Sequence, residues 1–196
     1  KAGGTPIWNS IDDLVIMGAA RTLAGALQPL KGRCPTNFNF VDADYNRETG
    51  LKGNGTTKYL RTNRNNADTA QNNDHNFVYV TEQHTAGTAG SYMRIGVADN
   101  GSNQLLRSAM SPFNVATRSR SATATVHTSS GTGYFGTTRS AGASYDMRIN
   151  GVDTNIVVAS QAPLSRDIFV FAGNDGTTTP IVLTDARLFA YGTGTN

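Results

Sequence analysis

The chain has 196 residues and a net charge of +3, with 38% hydrophobic and 16% charged residues. That balance excludes a disordered chain, and the scattered positive charge excludes the basic, aromatic-laced stripe by which proteins hold nucleic acid. One cysteine, Cys34, excludes an internal disulfide, and without a run of about 18 apolar residues no helix can insert in a membrane.

Starting at Lys1 with no initiator methionine, the sequence reads as a processed product or the visible part of something longer. Residues 1–37 differ in grammar from the rest and read as an attachment segment ahead of one domain over 38–196. Ile11, Leu14, Val15, Leu23 and Leu27 recur at helical spacing, with Ser10 as cap and Asp12 and Asp13 in the first turn, where the dipole favours them. Gly18 and Gly25 interrupt that helix, so a strand to Met17 followed by a short helix competes with it. These five apolar side chains are the candidate assembly contacts, packing on their own domain or docking on a neighbouring subunit.

From Pro35 the pattern is β. Phe38, Phe40 and Val41 open a short strand, and Asp42 to Asn46 is a polar turn. Strands at 51–53 and 58–62 flank Gly53-Asn54-Gly55, and residues 63–74 read as an exposed polar excursion. His75 to Glu82 places Phe77, Tyr79 and Thr81 on one face and Val78 and Val80 on the other. Tyr92 to Val97 sets Met93, Ile95 and Val97 inward, and Asp99-Asn100-Gly101 turns it into a strand around 104–107. Weaker strands follow at 113–117 and 122–127, the second preceded by Arg118 and Arg120, which read as a solvated face. Tyr134–Arg139 and Ser144–Asn150 form a hairpin ending in Asn150-Gly151, a dipeptide that tolerates positive φ. Asp167–Ala172, apolar on both faces, reads as a central strand, and Ile181–Tyr191 as a long final one. Many short strands with regular turn signals predict an all-β fold, an antiparallel sandwich of two sheets.

The hairpin run Gly133-Tyr134-Phe135-Gly136-Thr137-Thr138-Arg139-Ser140, with Tyr145, Arg148 and Asn150-Gly151, resembles the central hairpin of concanavalin-A-like (laminin-G-like) jelly rolls. Its style is that of the jelly rolls in bacteriophage tail-fibre and other virion proteins. Thr49 to Leu60 resembles the opening strands of that family, and Ile168–Asn174 with Arg187–Gly192 its closing strands, so the likeness covers 38–192. The resemblance implies a jelly roll and a non-enzymatic virion protein, a tail-fibre part or capsid decoration at the virion surface. Its partners would be other virion proteins or copies of itself. The alternative is a lectin-like module that recognises cell-surface glycans, with Tyr45, Tyr59 and Tyr92 as candidate aromatic platforms.

Catalysis is disfavoured by counting. Glucanases of this fold resemble one another in a Glu-x-Asp-x-Glu strand, whose alternation holds two carboxylates on one face. Here the only glutamates are Glu48 and Glu82, in no such triplet, and Asp42-Ala43-Asp44 reads as a solvated turn. His75, His84 and His127 are scattered, with no nucleophile elbow and no zinc spacing. Asp99-Asn100-Gly101-Ser102-Asn103 and Asn174-Asp175-Gly176 offer oxygens to loop-bound calcium, but the same residues make ordinary turns, so no cofactor is expected.

Overall fold

A computed structural model describes residues 7–85, 91–97, 105–109, 114–128, 131–177 and 179–195. Two antiparallel sheets face each other. With strands numbered in chain order, the eight-stranded sheet runs β13 (Val152–Val157), β12 (Ser144–Ile149), β11 (Gly133–Arg139), β6 (Asp74–Glu82), β15 (Arg187–Gly194), β4 (Gly50–Lys52) and β3 (Tyr45–Asn46), with β1 (Ile11–Ile16) also paired to β15. The seven-stranded sheet runs β10 (Thr125–Thr128), β9 (Asn114–Arg118), β8 (Leu105–Ala109), β7 (Ser91–Gly96), β14 (Asp167–Val170), β5 (Tyr59–Asn65) and β2 (Thr36–Phe38). This is the expected two-sheet, concanavalin-A-like jelly roll. The core lies between the sheets: Val78, Val80, Phe135, Leu188 and Tyr191 from one, Leu60, Ile95, Val115, Ile168 and Val170 from the other. Each such side chain contributes roughly 1.5–3 kcal/mol when fully buried. Between β12 and β13, Asn150 and Gly151 take φ of 48° and 88°, the left-handed pair that this tight turn requires.

From β1 onward the N-terminal stretch is built into this sandwich. The strand reading holds over the helical one: β1 pairs with β15 from Ile11↔Gly194 to Ile16↔Ala190. A four-residue helix, α2 (Leu23–Ala26), follows, capped by Thr22 Oγ1, which accepts from Gly25 N at 3.2 Å. Val15, Leu23 and Leu27 sit in the main core, so three of the expected assembly contacts are buried within the chain. Asp13 serves no helix dipole. Buried to 1% exposure, it accepts from Arg33 N (2.7 Å), Arg33 Nη1 (3.1 Å), Arg64 Nη1 (3.2 Å) and Thr193 Oγ1 (3.2 Å), tying β1 to β5 and β15.

Other expectations change for physical reasons. Met93 packs with Ile181 and Val182, apart from the main core, because the register shifts between Met93 and Ile95. The final strand begins only at Arg187: residues 181–184 bond to Gly173, Met93 and Phe171 instead of extending the ladder. Alternation does not mark β13, since five of its six side chains are exposed.

Residues 63–74 are no free excursion, and Arg120 is not solvated. Arg120 is fully buried, and its guanidinium donates to the carbonyls of Asn66 (2.8 Å), Thr69 (2.9 Å) and Ala70, to Thr69 Oγ1, and to Asp74 Oδ1 (3.3 Å). Arg139, equally buried, donates to the carbonyls of Ser119 (2.7 Å), Ala141 (2.9 Å), Ser144 (3.0 Å) and Val158 (3.2 Å) and lies over Tyr145. Replacing Arg120 with Met keeps the volume but strands these acceptors and a buried carboxylate, a loss of about 3–5 kcal/mol. Urea unfolding of Arg120→Met should show that loss. Arg148→Ala, which removes only the exposed Arg148–Asp153 pair, should leave the midpoint where it is.

Candidate functional site

Alternation along β5 sends Leu60, Thr62 and Arg64 into the sandwich and leaves Tyr59 and Arg61 on its outer face. Register then assembles a surface from three strands: Phe38 of β2 stands opposite Tyr59, and Phe169 of β14 opposite Arg61. Phe38 and Tyr59 stack at 4.4 Å with planes 7° apart, and Phe169 tilts against Tyr59 at 4.9 Å. The loop after β14 forms a wall. Asn174 Nδ2 donates to Asp167 O (2.9 Å), its Oδ1 accepts from Gly176 N (2.9 Å), and Arg166 lies against Gly176, where a side chain would collide. The result is a cleft of about 400 Å³ lined by Phe38, Tyr59, Arg61, Arg166, Asp167 and Phe169, with Asn174, Gly176 and Thr177 at the wall.

The polar groups of this cleft are only partly used by the protein. Arg61 Nε donates to Asn63 Oδ1 at 3.1 Å, while its two terminal nitrogens meet no acceptor among the described residues. Asp167 stands 3.9 Å from Arg61 Nε, beyond hydrogen-bond distance, which leaves its carboxylate open. Burial pushes the Tyr59 phenol up from its ordinary 10.0, Arg61 opposing, so it stays protonated at neutral pH. A three-ring floor with an open guanidinium fork, a carboxylate and a hydroxyl suits a ring that is apolar on one face and hydroxylated at its edge.

The eight-stranded sheet carries a different surface. Ile16, Ala190, Tyr79 and Tyr134 lie in one row across β1, β15, β6 and β11, and Leu14, Gly192, Phe77 and Gly136 in the next. Side chains at Gly192 and Gly136 would collide with Phe77 and Tyr134, whose rings therefore lie flat on the sheet, 5.4 Å apart and stacked. With Phe189 over Gly18, they floor an open recess of about 550 Å³ whose only charged lining residue is Glu48.

The three predicted platforms do not converge. Tyr59 belongs to the cleft. Tyr45 is half-buried on β3 and its hydroxyl donates to Ala20 O at 2.8 Å, so that ring is structural. Tyr92, on β7, stacks on His84 at 4.4 Å. Of the assembly contacts, Leu14 lines the apolar recess, and Ile11 is half-buried at the start of β1. Asn174 and Asp175 spend their oxygens on Gly176 and Thr177 in a turn, and Asp99 to Asn103 lie outside the described residues. No group of three potential metal ligands occurs among the described residues. Sequence reasoning missed Phe38, Arg61, Arg166, Asp167 and Phe169 as site residues. The one available signal was strand alternation, which marks Arg61 as sharing a face with Tyr59.

No family model matches this chain, and no curated protein matches it on sequence. Solved structures do match. The botulinum neurotoxin serotype D binding domain superposes with a TM-score of 0.63 at 10% identity, over 96% of this chain and 49% of that one. The receptor binding domain of the mosaic serotype C/D neurotoxin gives 0.63 at 13%, over 96% and 48%. Trypanosoma rangeli sialidase in complex with sialic acid gives 0.57 at 13%, over 94% and 30%. The chain thus spans half or less of each of these proteins and shares with them a β-sandwich fold.

Burial holds both His75 and His84 below the ordinary 6.5. For His75 a hydrogen bond to Thr195 O works against the shift, and for His84 the Arg94 charge adds to it. As pH falls through about 6.5 the unfolded chain takes up protons that the folded chain does not, so acidification lowers stability. Carboxylates, with ordinary values near 3.8 to 4.5, contribute little above pH 5.5. The urea midpoint should therefore be lower at pH 5.5 than at 7.5, and His75→Gln combined with His84→Gln should shrink that difference.

Proposed function

We propose that this protein is a non-catalytic carbohydrate-binding module whose sugar site is the cleft between β2, β5 and β14. The observation that carries this reading is the Phe38–Tyr59–Phe169 floor beside open hydrogen-bonding groups on Arg61 and Asp167. A pyranose presents its C–H groups to such rings and its edge hydroxyls to the polar groups, while most families of glycoside hydrolases use a pair of carboxylates. Asp167 is the only carboxylate lining the cleft among the described residues. Binding domains among the solved structures of this fold support the same reading.

A glycan array probed with the purified chain should return a defined set of sugars. Tyr59→Ala and Phe169→Ala should each weaken binding to those sugars by about tenfold or more, equivalent to about 1.4 kcal/mol. Tyr79→Ala, on the opposite sheet, should leave it unchanged. An array without hits, or full binding by Tyr59→Ala, would sink the assignment.

The virion structural role implied by sequence style is a second reading, favoured by the apolar recess on the eight-stranded sheet, which Leu14 lines. In that role the recess is covered by a neighbouring copy in an assembly. Sedimentation of the wild-type chain should then show an oligomer, and Leu14→Asp a monomer. A wild-type monomer at all concentrations removes this reading.

A further inference from the structure

We infer that the cleft selects an acidic sugar, one carrying a carboxylate beside its ring hydroxyls. This rests on the carbohydrate-binding reading above and names the ligand class of the same site. Two guanidiniums, Arg61 and Arg166, line the cleft beside Asp167, and Arg166 is already engaged by the Asp175 charge, so selection falls to Arg61. The nearby Asp175 points its Oδ1 at Thr177, accepting from both its backbone N (2.9 Å) and its hydroxyl (2.7 Å).

Orientation sharpens the charge count. Arg61 is held at Nε by Asn63, and its guanidinium carbon stands 5.8 Å from the Phe38 ring centre, so its plane is set before any ligand arrives. The edge bearing the two terminal nitrogens stays open, and that planar fork matches two oxygens of a carboxylate. A neutral sugar offers the fork only single hydroxyl oxygens. Asp167 Oδ2 stands 3.9 Å from Nε, nearer that nitrogen than the fork, where it can accept from hydroxyls. The Phe38 ring lies against the guanidinium and shields one side of the pair, and a chain of net charge +3 draws anions in.

The test is an array of matched pairs, sugar acids beside their methyl esters, with sulfated glycans of equal charge alongside. Hits are then measured by calorimetry on the full chain. The acid should bind about tenfold or more tightly than its ester, and Arg61→Gln should erase that difference by weakening the acid far more than the ester. Raising salt should weaken the acid and spare the ester. Equal affinity for acid and ester overturns the acidic-sugar inference and leaves carbohydrate binding standing. Sulfated glycans binding as tightly as carboxylated ones overturn the carboxylate assignment. Acid binding that survives Tyr59→Ala places the ligand elsewhere and overturns the inference, and no hit of any kind overturns it together with the carbohydrate reading.

Discussion

Buried guanidiniums satisfying backbone carbonyls are the interaction on which this sandwich depends. Arg94, Arg120 and Arg139 are the largest of its fully buried side chains, exceeding any core aromatic. A buried charge is costly unless its donors are met, and a buried carbonyl is costly unless a donor reaches it. Arg139 resolves both demands at once, and Arg120 does so through its two terminal nitrogens, its Nε meeting no acceptor among the described residues. Between them they reach seven backbone carbonyls, six of which lie outside the strands, in segments the sheet ladders do not serve. Loops far apart in sequence, 66–74 with 119–121 and 141–144 with 158, are thereby closed without hydrophobic cover. Arg94 is the exception. It lies 4.4 Å over the Phe135 ring, donates to Gly131 O at 2.9 Å, and is pushed down to about 10 by desolvation with no carboxylate to oppose it. Its cation is held by a ring face and one carbonyl, the weakest compensation of the three.

This inward use of arginine leaves the outer faces free to differ. On the eight-stranded sheet, glycines at 18, 136 and 192 let Phe189, Tyr134 and Phe77 lie flat, which removes edges and polar groups and yields an apolar floor. On the seven-stranded sheet, the aromatic rings alternate with charge in register: Phe38 faces Tyr59, and Phe169 faces Arg61. The same rule of alternation thus produces a surface suited to burial and another suited to a polar ligand.

Periodicity made much of this architecture legible. The hairpin around Asn150-Gly151, the Val78/Val80 face of β6 and the central place of β14 all follow from local pattern, because each is set by neighbours two residues away or by a turn. Arg118 and Arg120 show where that reading ends. Alternation makes any arginine beside a strand look solvated, and nothing near Arg120 reveals that carbonyls some fifty residues earlier will meet it. The N-terminal segment shows a second limit. Val15, Leu23 and Leu27 fit helical spacing, yet β1 pairs with the last strand of the chain, a partner no local window contains. The cleft was half visible: Tyr59 could be named, but Phe38 and Phe169 join it only through register across β2, β5 and β14.

Long-range pairing also fastens the strand that carries Tyr59 and Arg61. Behind Tyr59 and Arg61, the same strand points Leu60, Thr62 and Arg64 inward. Leu60 enters the core, Thr62 Oγ1 donates to Ile168 O at 2.9 Å, and Arg64 pairs with Asp12 and Asp13. β5 is therefore fastened to β14 by a side chain as well as by the ladder, and to β1 by buried ion pairs. An exposed guanidinium on such a strand loses little further freedom on binding, since Asn63 already holds its Nε. Pre-orientation of this kind lowers the entropic cost of association, so a shallow cleft can discriminate between ligands that differ by a single charged group.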